Sequence, residues 1–128
     1  MPTLPMNTLL GKLELIEVYE YYDKPLLFAC KNASGTHYLV VQTDSQDDFE
    51  TWFYVSLSFG RFLQVRSGEI ELHDAFASAE DGFVFDVKIF SDDHLSPTIE
   101  IIPTRELNHE QLPDSGEKLN LEPIVPSI

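Results

Sequence analysis

Apolar and polar positions alternate along most of the first half of the chain, and this two-residue period predicts strands. From Leu13 to Tyr22, Glu14, Glu17 and Glu20 recur every three residues, a spacing that also suits the polar stripe of a helix. Leu15, Ile16, Val18, Tyr19, Tyr21 and Tyr22 are nevertheless types that favour a pleated, half-buried surface. The segment reads as a strand, with Ile16 and Val18 on one face and Leu13, Leu15, Tyr19 and Tyr21 on the other. Asp23-Lys24-Pro25 marks a corner, because proline lacks a backbone donor and biases Lys24 away from helix, while Asp23 can accept from turn amides. Leu26 to Lys31 is a second strand. Asn32-Ala33-Ser34-Gly35 is a hairpin loop whose glycine can take positive φ. Thr36 to Thr43 forms a third strand, and residues 44–48 a polar loop. In a fourth, Thr51 to Ser58, Phe53, Val55 and Leu57 alternate with Trp52, Tyr54 and Ser56.

The period then changes. Phe59, Phe62, Leu63 and Arg66 fall at helical spacing, with Ser58 as N-cap and Gly68 as stop. Leu72, Ala75, Phe76 and Ala79 place a second short helix over residues 71–79. After the turn Glu80-Asp81-Gly82, the alternation of Phe83, Phe85, Val87 and Ile89 gives a fifth strand. Ser91 to Pro97 is a loop, and Thr98 to Ile102 a sixth strand. Residues 1–11 read as a loose arm. Residues 103–128 carry four prolines and no Phe, Trp or Tyr, a composition unsuited to a core of its own. Leu119, Leu121, Ile124 and Val125 are its docking-competent positions. The expected fold is α+β: a mainly antiparallel sheet of about six strands, begun by a four-strand meander and finished by a late hairpin, with two short helices. Residues 1–102 form the single globular domain and residues 103–128 an extended C-terminal tail.

Composition narrows the function classes. A chain of 128 residues with 43% hydrophobic content suits one domain with an ordinary core. Cys30 is the only cysteine, so no internal disulfide is available. Neither a signal-peptide run near Met1 nor a membrane-spanning apolar run occurs, and the expected compartment is cytoplasmic. Asp and Glu number 22 against 8 Lys and Arg, for a formal charge of −14. Direct nucleic-acid binding depends on clustered Lys and Arg, and adhesion to anionic membranes on the same residues, so neither is expected. The acids form a solubilising surface, or a face for a basic partner, or an imitation of nucleic acid.

The chemistry-bearing clusters are thin. Asp92-Asp93-His94 holds good metal-ligand types, but three adjacent residues rarely aim at one ion. Asp44, Asp47, Asp48 and Glu50 lack the glycine and bidentate glutamate spacing of an EF-hand loop. Neither a nucleophile elbow nor a phosphate loop nor a dinucleotide fingerprint occurs. Cys30 sits mid-strand, as a small buried hydrophobe does. His37 and His73 can meet in space, although a strand histidine and a helix histidine are more often structural. No catalytic residue, cofactor or metal ligand is predicted. The aromatic strands offer a candidate partner-binding surface of Tyr19, Tyr21, Tyr38, Trp52 and Tyr54, whose alternative is plain core packing. The expected function is non-catalytic protein–protein interaction or regulation, including self-association as a homo-oligomer. The alternatives are a small enzyme or ligand-binding domain with an acidic site, with or without a divalent ion, and an acidic nucleic-acid-mimicking inhibitor.

The run from Glu17 to Phe28, Gly35-x-x-Tyr38, Trp52, Ser67-Gly68-Glu69-Ile70-Glu71-Leu72 and Ala75-Phe76 resembles a family of small bacterial domains of unknown function. The resemblance covers about residues 13–90. It implies a small intracellular bacterial module and brings with it no activity, cofactor or catalytic residue.

Overall fold

Six strands pair antiparallel in chain order: β1 (Leu13–Tyr22), β2 (Lys24–Asn32), β3 (His37–Ser45), β4 (Phe49–Leu57), β5 (Phe83–Phe90) and β6 (Thr98–Pro103). The computed structural model describes residues 12–22, 24–114 and 116–121, without the side chains of residues 21, 22, 24 and 25. The chain leaves the sheet between β4 and β5 to form α1 (Phe59–Ser67) and α2 (Leu72–Ala77). The architecture is the expected α+β sheet with two short helices. β1 ends at Tyr22, which pairs with Lys24 at the start of β2. Asp23 and its predicted turn bonds lie outside the described residues.

Both faces of the sheet are apolar. On the helix side, Leu27, Ala29, Leu39, Phe53, Val55 and Leu57 meet Phe62 and Val65 of α1 and Leu72, Ala75 and Phe76 of α2. On the opposite side, Phe28, Cys30, Tyr38, Val40, Trp52, Tyr54 and Val87 form a second cluster. Its centre is sealed, while Val18 and Ile101, on the two outermost strands, are 41% and 55% exposed.

The simple alternation expected for β1 fails, and the register shows why. Leu15 pairs with Cys30 and Glu17 with Ala29, so Ile16 is an extra residue; Val18 pairs with Phe28 and Glu20 with Leu27, so Tyr19 is another. Each bulge resets the facing of the residues after it. Ile16 and Tyr19 pack against the helix-side cluster, whereas Leu13 and Leu15 belong to the opposite one.

The helix ends are those the sequence implies. Ser58 Oγ accepts from the Arg61 amide, and Gly68 adopts φ 86° at the C-terminus of α1. Gly68 is also approached closely: a Cβ there would lie 2.5 Å from the Leu119 carbonyl oxygen. Of the residues at helical spacing in α1, Phe62 and Arg66 are buried together with Val65, whereas Phe59 is 53% exposed.

Residues 104–114 and 116–121 run along the helix side and, among the described residues, include the 3-10 turns Thr104–Glu106 and His109–Gln111. They are docked rather than detached. Leu107 and Leu112 are 7% and 6% exposed, and Leu119 packs on the same cluster. The amides of Leu72 and Leu121 donate to the carbonyls of Glu117 and Arg66, at 2.9 Å each. A segment too poor in apolar residues to fold alone thus places a few leucines over an existing core. Ile124 and Val125 lie outside the described residues. Leu112→Ala is expected to cost about 2–3 kcal/mol, as for other buried leucines, read as a lower urea midpoint in a single unfolding transition. An unchanged midpoint would mean a detached tail.

Candidate functional site

The β2–β3 hairpin, the β4–α1 junction and the turn before β5 converge at one end of the sheet. The hairpin is held by Asn32, whose Oδ1 accepts from the amides of Ser34 and Thr36 at 3.0 Å each. Gly35 takes φ 87° there. At the junction, the amide and hydroxyl of Ser58 both donate to Glu80 Oε1, at 2.9 and 3.0 Å. Arg61 Nη2 donates to the carbonyls of Asp74 and Ser78, at 3.3 and 2.8 Å, tying α1 to the end of α2. Its Nε lies 3.8 Å from Glu80 Oε1, an ion pair without a hydrogen bond. Ser56 Oγ donates to Asp81 Oδ2.

These bonds shape a groove of about 380 Å³, lined by serine hydroxyls, the carboxylates of Glu80 and Asp81, and Phe59. Phe59 stands beside His37 and Phe62, with ring centroids 5.5 and 6.3 Å away. His37 in turn lies 4.8 Å from Phe62. Burial among these rings pushes the His37 imidazole below its ordinary value, against an opposing contribution from the Gly35 carbonyl. The groove thus offers two carboxylates, hydroxyl groups and one open aromatic face, a set able to hold a cation or a hydrogen-bonding ligand. A second groove of about 530 Å³ opens by Leu13, Leu15 and Lys31.

The five aromatic residues singled out from the sequence fall differently. Tyr38, Trp52 and Tyr54 are 5%, 3% and 1% exposed, so they pack the second cluster and present no open contact face. Tyr38 stacks edge-on to Tyr54 and Phe85, and Phe28 to Trp52. The Trp52 indole N–H is buried without a hydrogen-bond partner among the described residues. Tyr19 is half-buried and donates its hydroxyl to Glu17 Oε1 at 2.9 Å; the side chain of Tyr21 lies outside the described residues. The exposed aromatic that sequence reasoning missed is Phe59. Its position at the first turn of α1, directly after the cap Ser58, is the signal that could have marked it as a rim residue.

Other predicted pairings also move. His37 does not meet His73; the partner of His73 is His109, 3.2 Å away. In the Asp92-Asp93-His94 loop, His94 Nδ1 lies 3.1 Å from Asp92 Oδ1 with both side chains largely exposed. Around the acidic loop, Gln46 and Gln42 donate to Asp44 and Glu50. Among the described residues, no three Asp, Glu, His or Cys side chains converge as metal ligands.

The perturbed groups are structural in setting. Burial pushes the Cys30 thiol up to about 12, so it stays protonated at neutral pH. Asp86 is raised by burial first and then by Glu100; its cross-strand neighbours are Phe53 and Glu100, and its Oδ1 has no hydrogen-bond partner among the described residues. On β1, the charge-bearing inward residue is Glu17. It accepts from Arg66 Nε at 2.7 Å and Nη2 at 2.8 Å. The Arg66 hydrogen bonds hold its carboxyl below the ordinary range, despite a smaller opposing effect of burial. Burial, followed by the bond to Glu17, pushes the Tyr19 phenol well up.

Two measurements check these settings. Cys30 in the native protein is expected to resist an aromatic disulfide reagent at pH 8 and to react at once in denaturant; rapid native labelling would contradict its burial. A carboxyl lowered in the folded state stabilises above its unfolded value near 4.5 and loses that contribution as pH falls through the folded value. Between pH 5 and 3, Glu17→Gln should therefore flatten part of the acid-induced loss of unfolding free energy while lowering stability at pH 7. An identical acid slope in both proteins would remove the Arg66 pairing from the account.

No curated protein and no solved structure matches the chain. Among the described residues, no helix is long and apolar enough to cross a membrane. One family model matches residues 1–127, taking in the C-terminal segment as well as the sheet and helices. The chain belongs to the family described as Family of unknown function (DUF6575).

Proposed function

We propose that this domain is a non-catalytic interaction module, regulatory in role, that receives a basic segment of a protein partner in the groove beside Phe59. One observation carries the reading: an aromatic ring, 53% exposed, borders a groove whose charged lining groups are Glu80 and Asp81. An arginine fits that lining, since its guanidinium can stack on Phe59 and bond to carboxylate oxygen. The formal charge of −14 adds long-range steering of a cationic partner and disfavours acidic ones. Two features favour binding over catalysis. The Ser56 hydroxyl is engaged by a carboxylate, and the Cys30 thiol is buried and protonated. The single buried cysteine accords with a cytoplasmic setting.

The test is a calorimetric titration of the full chain with an arginine-rich peptide and with a neutral peptide of equal length. The arginine peptide should bind, and more weakly at higher salt. Phe59→Ala should weaken it by about two- to fivefold, the range of an exposed cation–π contact. Asp81→Asn should weaken it further while leaving the melting temperature close to wild type. Equal binding to wild type, Phe59→Ala and Asp81→Asn would mean diffuse charge attraction and would overturn the groove as the site.

A further inference from the structure

A pair of histidines joins α2 to the C-terminal segment on the helix side, and neither takes part in the groove. His73 lies at the start of α2, with Nδ1 3.1 Å from the Pro113 carbonyl oxygen. A carbonyl only accepts, so Nδ1 carries the proton and Nε2 of the neutral ring presents its lone pair. That lone pair meets Nδ1 of His109, 3.2 Å away, with ring centroids 5.0 Å apart. We propose that His73 Nε2 and His109 Nδ1 form a chelating site for a divalent transition-metal ion that favours imidazole, with Cu²⁺ bound ahead of Ni²⁺ and Zn²⁺.

The separation of the two nitrogens suits this role. Metal–imidazole bonds of about 2.0–2.1 Å that span 3.2 Å subtend about 100° at the ion. That lies between the right angle of square-planar Cu²⁺ and the tetrahedral angle of Zn²⁺. The bond from His73 Nδ1 to a backbone carbonyl is the outer-shell contact that fixes tautomer and ring orientation in histidine metal ligands. The backbone that carries both rings is anchored, and small side-chain rotations turn the two nitrogens toward a common ion. His73 follows Leu72, which is 3% exposed, and His109 stands between the buried anchors Leu107 and Leu112. Asn108 Oδ1 accepts from the Glu110 amide at 3.0 Å, fixing the turn that carries His109.

Without metal, His109 Nδ1–H donates to His73 Nε2. Coordination frees Nδ1 by moving the His109 proton to its Nε2 through solvent. The protein contributes two ligands and water completes the sphere, because no third metal-ligating side chain converges among the described residues. The site is therefore of modest affinity, ordered by the intrinsic preferences of the ions.

The experiment uses the untagged full chain, titrated with CuCl₂, NiCl₂, ZnCl₂ and MgCl₂. One equivalent of Cu²⁺ should bind most tightly and Mg²⁺ should leave no heat. Ions that bind should raise the melting temperature, because they cross-link α2 to the C-terminal segment. The Cu²⁺ spectrum should carry the signature of two imidazole nitrogens. His109→Ala should weaken Cu²⁺ binding at least tenfold, and His73→Ala should do the same if it folds. His94→Ala, which removes the exposed histidine paired with Asp92, should leave binding unchanged. Unaltered affinity in His109→Ala, loss confined to His94→Ala, or a single-nitrogen spectrum would overturn the proposal and leave the pair as a hydrogen bond only.

Discussion

Burial of the sheet on both faces is the constraint from which the rest follows. Trp52, Phe53, Tyr54 and Val55 are consecutive residues of β4, and none is more than 3% exposed. Consecutive strand residues point to opposite sides, so apolar surface must be sealed on each. A meander with neighbours in chain order has few places to leave the sheet. This one leaves between β4 and β5, sending α1 and α2 across the helix side. Two short helices do not span six strands, and residues 104–114 and 116–121 return to that same side to extend the cover. The C-terminal segment thus adds cover to the helix side, and the Leu119 carbonyl fits closely over Gly68.

What the sequence made legible follows from periodicity and local chemistry. The alternation of β3, β4 and β5, the Ser58 cap and the Gly68 stop are short-range signals, and the structure carries them as read. The facing of β1 was not legible. Inserting Ile16 and Tyr19 leaves the composition of a strand unchanged while reversing its pleat twice. Nor was the Arg66–Glu17 bond, which joins residues 49 apart in sequence; helical spacing places Arg66 on the buried face but cannot name its partner. The candidate site was harder still. Trp52 and Tyr54 have the residue types of a binding surface and the burial of a core, and only tertiary packing separates the two. Phe59 and the turn Glu80-Asp81 are far apart in the chain, so the groove exists only once β4, α1 and the turn meet.

The Glu17–Arg66 pair joins the first strand to the first helix, and its position explains the bulges. An arginine 7% exposed is costly to bury unless its donors are satisfied. Glu17 takes both Nε and Nη2, and the bulge at Ile16 turns it toward the helix side to do so. Tyr19, the second bulged residue, then directs its hydroxyl to the same carboxylate. The ion pair thus accompanies the altered pleat of β1 and links that strand directly to α1.

The same bulges bear on where a partner can meet the domain. Outer strands with unpaired backbone groups invite strand addition, and soluble proteins blunt them with bulges, inward charges, prolines and short length. β1 has register shifts and the inward Glu17. β6 is six residues long, ends at Pro103 and follows Pro97. Both edges are thus protected against pairing, even though Val18 and Ile101 leave some apolar surface beside them. With the edges blunted and the aromatic face sealed, the ends of the sheet are the places where loops can present side chains without disturbing the core. The groove beside Phe59 occupies one such end, and it joins open aromatic surface to carboxylate charge.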